Sequence, residues 1–324
     1  METGLYIAVD LGASKTRIAL CSRDSIIEKI VEPTPRSGDE NTIAEFIWKK
    51  VNHRFETYLN KVKAIGVATI GPLNIEKGRV VNTPNLPFKE INLLEPLTEF
   101  SGRQVFVAND AVAAAWGEKH YGLGRGFKNI IYLTLSTGVG AGVIVDDHLL
   151  IGKNGNAHEI GHIIVDFDSE LECGCGGKGH WEAYAGGKNL PRVALWVSSK
   201  YKIRSTLYEY LTKNPEASAK EIFQYYKEGD PLAIHVVNLF VKASRAGIAS
   251  IINSYDPEIL ILGGGIILNN RDILIEKLLD NLHADLVTAM PIVKITGFGD
   301  DVGLYGALAL ATHPPEELLK VQHL

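Results

Sequence analysis

Two stretches of this chain follow the same pattern, and that pattern constrains the fold more than any other feature of the sequence. Each stretch runs from a buried strand through a polar turn that contains glycine, and then directly into a second strand. They are residues 4–22, "GLYIAVDLGASKTRIALCS", and residues 128–147, "KNIIYLTLSTGVGAGVIVDD". Similarity between two parts of one chain indicates a duplicated architecture, so we expect two halves that each open with such a hairpin.

Alternating strand and helix patterns surround the two hairpins. "SIIEKIVEP" predicts a third strand that completes a meander, and the spacing of apolar residues over 39–60 predicts an amphipathic helix. Further on, "AIGVATI" and "RQVFVAND" predict strands, and the second of these runs into a helix that begins at Asp110. A long helix is predicted over about 230–254, with Asp230 as its N-cap and Pro231 as its first residue.

Length and composition are those of an ordinary globular protein. The 324 residues are enough for two domains, and 46% apolar with 22% charged residues is typical of a soluble chain. A net charge of −5 gives no reason to expect a nucleic acid or an anionic membrane as partner. The three cysteines cannot form a disulfide framework, and we find neither a leader segment nor an apolar run of about 18 residues. We therefore expect a cytoplasmic protein without a membrane segment.

Three glycine-containing turns follow predicted strands, at residues 10–17, 135–142 and 262–266. None contains the G-x-x-x-x-G-K-[ST] pattern of a Walker loop, and the second is followed by a strand rather than by the helix that a dinucleotide fingerprint requires. Backbone N–H groups in such turns can still bind phosphate, because glycine allows a close approach. One such turn is weak evidence, but three in one chain favour a nucleotide as ligand.

Two aspartates stand at strand ends beside these turns. Asp10 precedes the first turn and can hold Mg²⁺ through water, since hard cations prefer oxygen ligands. Asp110 begins a helix, where it can act as the cap or as a base that the helix dipole keeps ionised. A base of low pKa is sufficient for phosphoryl transfer, because the hydroxyl proton is taken late. The sequence leaves both roles open, and one residue can fill both.

The stretch "AHEIGH", residues 157–162, matches the H-E-x-x-H spacing of zinc proteases, in which two histidines on one helix face bind the metal. Glu182 would then be a third ligand. That interpretation leaves the cysteines and the glycine turns without a role, and it places Gly161 inside the helix at a cost of about 1 kcal/mol. The eight residues "CGCGGKGH" at 173–180 combine two thiols and an imidazole, which favours a different metal site over two core cysteines and a surface histidine.

Together these segments resemble the ROK family of sugar kinases and repressors over nearly the whole chain. "DLGASKTR" and "STGVGAG" resemble the family's two phosphate loops, "LGGGI" its adenosine segment and "VANDAVAAAWGE" its catalytic segment. The resemblance implies an α/β fold of the two-lobed actin-like ATPase (ribonuclease H-like) type, in which each lobe has a mixed sheet with flanking helices. We expect residues 1–113 to form a small lobe and residues 114–305 a large lobe with the zinc segment and the nucleotide site. A last helix over about 306–324 is expected to pack back on the small lobe.

The same resemblance implies the site residues. Asp110 corresponds to the catalytic base, and a structural zinc site is expected from His162, Cys173, Cys175 and His180, the last at a position that is usually cysteine. The residues expected to contact the sugar are Gly71, Asn85, Asn109, Asp110, Glu159, His162 and Glu182. Those expected to contact the nucleotide and its Mg²⁺ are Asp10, Gly12, Ser14, Lys15, Thr16, Thr137, Gly138, Gly140, Gly263, Gly264 and Gly265.

The implied activity is ATP-dependent phosphorylation of a hexose, either glucose or a broader range, at its 6-hydroxyl. Two alternatives stay open: a kinase for N-acetylated hexosamines, which needs a larger pocket beside the 2-position, and a sugar-sensing protein without turnover. The substrate is open because Phe88 lies near the place of a tryptophan that is common in the family's sugar-side loop. The first phosphate loop begins at Asp10, so we expect no helix-turn-helix domain like that of the repressors. Family members are commonly dimers or tetramers, and we expect a homo-oligomer.

Overall fold

The computed structural model describes residues 4–83, 86–157 and 159–322. In these residues the β-strands are β1 Leu5–Leu11, β2 Lys15–Cys21, β3 Ile26–Pro33, β4 Val62–Thr69, β5 Leu73–Asn74, β6 Arg79–Val81, β7 Glu90–Asn92, β8 Gln104–Asn109, β9 Ile130–Leu135, β10 Val139–Val145, β11 His148–Leu149, β12 Ile259–Gly263 and β13 Ile292–Ile295. The α-helices are α1 Thr42–Phe55, α2 Leu94–Ser101, α3 Asp110–Tyr121, α4 Trp181–Ala185, α5 Leu190–Tyr201, α6 Thr206–Lys213, α7 Ala219–Lys227, α8 Pro231–Tyr255, α9 Gly265–Asn269, α10 Arg271–Leu279, α11 Val302–Thr312 and α12 Glu316–Val321.

The first sheet has the strand order β3-β2-β1-β4-β8. Strands β1, β2 and β3 form an antiparallel meander, which confirms that prediction. Strands β1, β4 and β8 are parallel, and Leu11 pairs with Thr69 while Thr69 pairs with Asn109. Since the carboxyl ends of parallel strands meet at one edge of a sheet, the segments that follow these three strands lie side by side.

The second sheet has the strand order β11-β10-β9-β12-β13. Strands β10 and β11 are antiparallel, and β12 and β13 are parallel. The second predicted hairpin is present in it as the neighbouring strands β9 and β10, so each five-stranded sheet contains one copy of the repeated strand-turn-strand pattern. A small antiparallel sheet, β5-β6-β7, is formed by the segment between β4 and β8.

The chain divides into two compact units. The first comprises the described residues of Met1–Tyr132, Ala141–His158 and Thr296–Leu324, and the second comprises those of Leu133–Gly140 and Glu159–Ile295. This division differs from the expected boundary after residue 113, which lies inside α3. The physical reason is that α3 packs closely against α11, so the whole of α3 belongs to the first unit.

The C-terminal segment forms two helices where the sequence predicted one. Helix α11 begins at Val302 rather than near residue 306, and α12 begins only after Pro314 and Pro315. Proline cannot donate the next helical hydrogen bond, which explains the break between the two helices. In the first unit, α11 packs against β1, β4 and α3.

Glycines allow α11 to approach its neighbours closely. A Cβ atom at Gly117 of α3 would lie 2.7 Å from the backbone nitrogen of Gly306 in α11. A Cβ atom at Gly66 of β4 would overlap the carbonyl oxygen of Ala307. Because no side chain fits in these spaces, the backbone of α11 lies directly on strand β4 and on helix α3.

Helix α8 is the long helix of the second unit, and the structure confirms its predicted start. The Asp230 side chain accepts hydrogen bonds from the N–H groups of Leu232 and Ala233, and Pro231 is the first helical residue. With a mean hydropathy of 1.3 over an 18-residue window, α8 is long and apolar enough to cross a membrane. However, 61% of that window is buried, and the helix packs against α4, α5, α7 and α10, as the core helix of a folded unit does.

We expect Gly66→Ala to destabilise the protein, because the added methyl group has no space beside the Ala307 carbonyl. Overpacking of this kind costs about 1–3 kcal/mol, so the melting temperature should fall by several degrees in thermal denaturation. Gly297→Ala is the matched control, since a Cβ atom there meets nothing within 4 Å and should leave the melting temperature unchanged. Equal melting temperatures for the two variants would contradict the close contact of β4 with α11.

Candidate functional site

Asp10 lies at the carboxyl end of β1 and is only 8% exposed. Arg17 stands directly opposite in the β1–β2 hairpin and donates a hydrogen bond from Nη1 to Oδ2 of Asp10 at 3.0 Å. Burial raises the pKa of Asp10, and the positive charge of Arg17 opposes that shift. A Cβ atom at Gly303 would lie 2.6 Å from Cγ of Asp10, so the first turn of α11 lies against this carboxyl group. The result is a carboxylate held in a fixed place at the sheet edge.

The first glycine turn is held by hydrogen bonds of its own. The Gly12 N–H donates to the carbonyl oxygen of Lys15 at 3.0 Å. Thr16 is fully buried, and its hydroxyl lies 2.9 Å from that of Thr34. The side chain of Thr16 therefore has a structural role in the turn, whereas Ser14 and Lys15 are exposed and within reach of a ligand.

The structure shows which residue caps α3, a role that the sequence left open for Asp110. The cap of α3 is Asn109, whose Oδ1 accepts hydrogen bonds from the N–H groups of Ala111 at 2.9 Å and Val112 at 3.4 Å. Asp110 is the first residue of α3, and its Oδ1 accepts the Ala111 N–H at 2.8 Å. The capping role proposed for Asp110 thus belongs to the residue before it. Asp110 is partly exposed at a helix N-terminus, where the helix dipole favours the ionised carboxylate.

The structure brings several of the predicted sugar residues to one edge of the first sheet. Gly71 lies two positions beyond Thr69, the last residue of β4, and Thr69 pairs with Asn109 at the end of β8, directly before Asp110. Asn85 lies outside the described residues. Phe88, which the sequence placed near the wall of the sugar pocket, has a buried side chain. The carboxyl edge that holds Asp10 therefore also holds three of the predicted sugar residues.

The second glycine turn, in the second unit, is hydrogen-bonded to residues 182–188. The Val139 N–H donates to Oε2 of Glu182 at 2.9 Å. The N–H groups of Gly187 and Lys188 donate to the carbonyl oxygens of Ser136 at 2.8 Å and Thr137 at 3.1 Å. Three hydrogen bonds thus join the turn to residues 182–188, and one of them uses a carboxylate that the family resemblance assigned to sugar binding.

The third glycine segment lies beside the second turn. Strand β12 ends at Gly263, and Gly264 adopts φ = +86°, a conformation that glycine takes without strain. A Cβ atom at Gly264 would overlap the carbonyl oxygen of Leu135, the residue that precedes the second turn. Helix α9 then begins at Gly265. The two glycine segments of the second unit, predicted to contact one nucleotide, are therefore neighbours.

Four side chains come together as the predicted metal-ligand cluster: His162, Cys173, Cys175 and His180. Their ligand atoms all lie within 4.8 Å of one another. Sγ of Cys175 lies 3.3 Å from Nδ1 of His180, Nδ1 of His162 lies 3.3 Å from Nδ1 of His180, and Sγ of Cys173 lies 3.7 Å from Nδ1 of His162. Ligands of a tetrahedral zinc ion, at about 2.0–2.3 Å from the metal, are separated by about 3.3–3.8 Å. The donor set suits such an ion, and these three contacts already have the separations that it requires.

Hydrogen bonds shift the pKa values of two members of the cluster, His162 and Cys173. The contact with Cys173, and after it the contact with Glu159, raises the pKa of His162 to about 11. Burial by itself raises the pKa of Cys173, but hydrogen bonds from His162 and from the Cys175 N–H together hold it below its usual value. The thiolate, which is the form that binds metals, is thereby favoured at Cys173.

The H-E-x-x-H spacing does not lie on an α-helix in the described residues. Ile160–His162 form a single 3₁₀ turn, and the chain is extended at Ile163. His158 lies outside the described residues. Glu159 lies next to His162, with Oε2 3.4 Å from Nε2. The helical geometry that a zinc protease needs is therefore missing from residues 159–163, and His162 joins the two cysteines instead.

Sequence reasoning missed two residues of the first unit, Arg17 and Gly303. The signal for Arg17 was present, because the short turn after Leu11 places residue 17 directly opposite Asp10 in the hairpin. No local signal identified Gly303, whose contact with Asp10 joins residues from opposite ends of the sequence.

Comparison with known proteins identifies relatives along nearly the full length of the chain. The ROK family model matches residues 6–313. The glucokinase of Pyrobaculum calidifontis is 40% identical over 315 residues, which are 97% of each chain. The ROK hexokinase of Thermus thermophilus has a similar structure, with a TM-score of 0.80 and 31% identity over 95% of this chain and 97% of that one. A ROK family glucokinase from Streptomyces griseus, solved in complex with glucose and AMPPNP, has a TM-score of 0.72 and 29% identity over 95% of this chain and 99% of that one.

These similarities confirm the family and the fold that the sequence motifs implied. The two mixed sheets with flanking helices are those of the actin-like ATPase fold shared by the similar ROK sugar kinases. The glycine turns, the Asn109–Asp110 pair and the cluster around Cys173 all lie within the matched residues. This chain belongs to the ROK family.

Proposed function

We propose that this protein phosphorylates a hexose, with glucose the first candidate, at its 6-hydroxyl and with ATP as donor. The observation that carries the proposal is the position of Asp110, a partly exposed carboxylate at the first residue of α3, next to Asn109 and beside the end of β4. The glucokinase relative at 40% identity and the structural relative that holds glucose and AMPPNP support the same activity.

In this proposal Asp110 orients the sugar 6-hydroxyl and accepts its proton as the hydroxyl attacks the γ-phosphoryl group. The transition state of phosphoryl transfer is loose, so the carboxylate need not be a strong base. The Ala111 N–H holds one carboxylate oxygen and thereby limits the orientations of the Asp110 side chain. Asn109 is held as the cap of α3, so both side chains are positioned before the sugar binds. The other sugar contacts are assigned to Gly71, Asn85, Glu159, His162 and Glu182.

The nucleotide is assigned to the three glycine segments. Exposed Ser14 and Lys15 of the first turn and Thr137, Gly138 and Gly140 of the second turn face the phosphates, while Gly263, Gly264 and Gly265 bind the adenosine part. Backbone N–H groups in such turns bind phosphate oxygens without needing charged side chains. Mg²⁺ that arrives with ATP neutralises charge on the phosphates, and Asp10 would hold it through water, since a buried carboxylate is a suitable hard ligand.

The metal-ligand cluster is assigned to a zinc ion with a structural role. His162, Cys173, Cys175 and His180 would fill all four positions of a tetrahedral ion, so no position remains for a reactive water. The ion would tie the chain at residue 162 to the segment at 173–180 and so hold Glu159 and Glu182 in place. The homo-oligomer and the cytoplasmic location stay predictions.

The proposed activity is tested with the purified protein in a coupled assay of ADP release. We expect turnover with glucose and ATP in the presence of Mg²⁺, and a panel of mannose, fructose, N-acetylglucosamine and N-acetylmannosamine measures how broad the specificity is. A higher kcat/KM for an N-acetylated hexosamine would assign the protein to that class of kinase instead. Sugar binding without turnover of any sugar would indicate a sensor.

We expect Asp110→Asn to lower kcat by roughly 10²- to 10⁴-fold, the usual effect of losing a positioned base. The amide keeps the shape and the hydrogen bond from Ala111, so the sugar Kd, measured by calorimetry, should change little. Asp24→Asn is the matched control, since Asp24 is an exposed acid in the turn between β2 and β3 and should leave kcat unchanged. A fall in kcat of less than about tenfold would leave Asp110 with a positioning role only.

We expect metal analysis of the purified protein to find zinc in a ratio of about one ion per chain. Replacing both Cys173 and Cys175 by alanine should remove the zinc and lower the melting temperature, because the binding energy of a structural metal contributes to folding. Cys21→Ala is the control, since Cys21 is a buried thiol in β2 that does not belong to the cluster, and its loss should leave the zinc content unchanged. Zinc-free wild-type protein, or a double variant that retains zinc, would rule out this assignment.

A further inference from the structure

Glu182 has a contact that its expected role as a sugar ligand does not explain. It lies in the first turn of α4, directly after the metal-ligand cluster. Its Oε2 accepts the N–H of Val139 at 2.9 Å, and its Oε1 lies 3.7 Å from Sγ of Cys173. Val139 is the first residue of β10, and it ends the second glycine turn. One carboxylate therefore contacts both the cluster and the turn assigned to the ATP phosphates.

The contact between Glu182 and the turn is close. A Cβ atom at Gly138 would overlap Oε2 of Glu182, so glycine at this position lets the carboxylate lie against the turn. Val139 itself is only 6% exposed. A buried N–H group that loses its acceptor is not easily satisfied by water, and the backbone would have to move to find a new partner.

Helix α4 gives the carboxylate a rigid support. Trp181, the residue before Glu182, is fully buried, and its Nε1 donates a hydrogen bond to the hydroxyl of Ser244 in α8 at 3.1 Å. Its ring fills the space over Gly247, where a Cβ atom would overlap the indole. Because α8 is the core helix of the second unit, the position of Glu182 is fixed by that core rather than by the turn it contacts.

Phosphate binding by a glycine turn requires its N–H groups to point the same way before the ligand arrives. In the second turn the carbonyl groups of Ser136 and Thr137 accept from the N–H groups of Gly187 and Lys188, and the Ser136 N–H donates to the carbonyl oxygen of Gly138 at 3.0 Å. The Val139 N–H, at the end of the turn, donates to the Glu182 side chain. Releasing the bond from Val139 to Glu182 would leave the Val139 end of the turn without its hydrogen bond to α4.

We propose that Glu182 is a positioning residue for the second phosphate-binding turn: by accepting the Val139 N–H it holds the turn in the conformation that binds ATP. This inference rests on the proposed function and adds a second role to the sugar contact expected of Glu182. The same carboxylate would then contribute to both the sugar and the nucleotide affinity of the protein.

The test compares Glu182→Gln with Glu182→Asp by calorimetry, using Mg²⁺ and a non-hydrolysable ATP analogue in the absence of sugar. Glutamine keeps an oxygen at the same distance from the backbone, so its nucleotide Kd should stay within about twofold of the wild-type value. Aspartate keeps the charge but is one methylene shorter and cannot reach Val139, so its nucleotide Kd should rise by roughly five- to tenfold. Sugar affinity should fall in both variants.

Glu159→Gln is the matched control, because Glu159 is the other acid assigned to the sugar and is not the acceptor of the Val139 N–H. It should weaken sugar binding and leave the nucleotide Kd unchanged. Zinc content and melting temperature of each variant show whether the cluster and the fold are intact. Glu182→Ala, which also lacks the acceptor, is the second variant and should behave like Glu182→Asp.

Hydrogen exchange of the peptide that contains Val139 gives a readout that is independent of catalysis. The Val139 amide should be protected in the wild-type protein and in Glu182→Gln, and should exchange faster in Glu182→Asp. Fast exchange in the wild-type protein would overturn the inference even if no aspartate or alanine variant folds. A wild-type nucleotide Kd in Glu182→Asp would overturn it as well, while a wild-type protein that binds neither nucleotide nor sugar would refute the proposed function itself.

Discussion

The close contact of α11 with β1, β4 and α3 is the constraint on which the first unit depends. At Gly66 and Gly117 the backbone of α11 occupies the space where side chains would otherwise stand. That approach sets the distance between the helix and the sheet, and so brings Gly303 against the carboxyl group of Asp10. The edge formed by the ends of β1, β4 and β8 is therefore completed by residues from the C-terminal part of the chain. Asp10, the Mg²⁺ ligand proposed at this edge, contacts Arg17 on one side and Gly303 on the other.

In the second unit, the short helix α4 is anchored on the core helix α8 and thereby positions Glu182. Trp181 fixes α4 to α8, and the next residue, Glu182, extends to the second glycine turn. The ligand cluster comes just before α4 in the chain. A segment of roughly thirty residues thus links the proposed zinc ligands, the predicted sugar contacts and the turn proposed to bind phosphate, so a change in any one of them is expected to affect the others.

Much of the site could be predicted from the sequence because its signals are local. The proposed metal ligands from Cys173 to His180 lie within eight residues, and the N-cap at Asp230 follows from a short motif. Other features depended on geometry between neighbours, which local signals do not specify. Asn109 rather than Asp110 caps α3, and the side chain of Thr16 is buried against Thr34. The lobe boundary differed because α3 packs on a helix about two hundred residues later in the chain.

The sequence by itself determined the two hairpins, the helix starts at Asp110 and Pro231, the glycine turns, the family and the residue types of the site, because periodicity, capping and motif spacing act over a few neighbouring residues. The tertiary structure decided which distant residues come into contact with one another. The hydrogen bond from Val139 to Glu182 joins residues 43 positions apart, and the contact of Gly303 with Asp10 joins the two ends of the chain. Such pairs arise only when packing brings distant segments together, since nothing in the local sequence of either partner specifies the other.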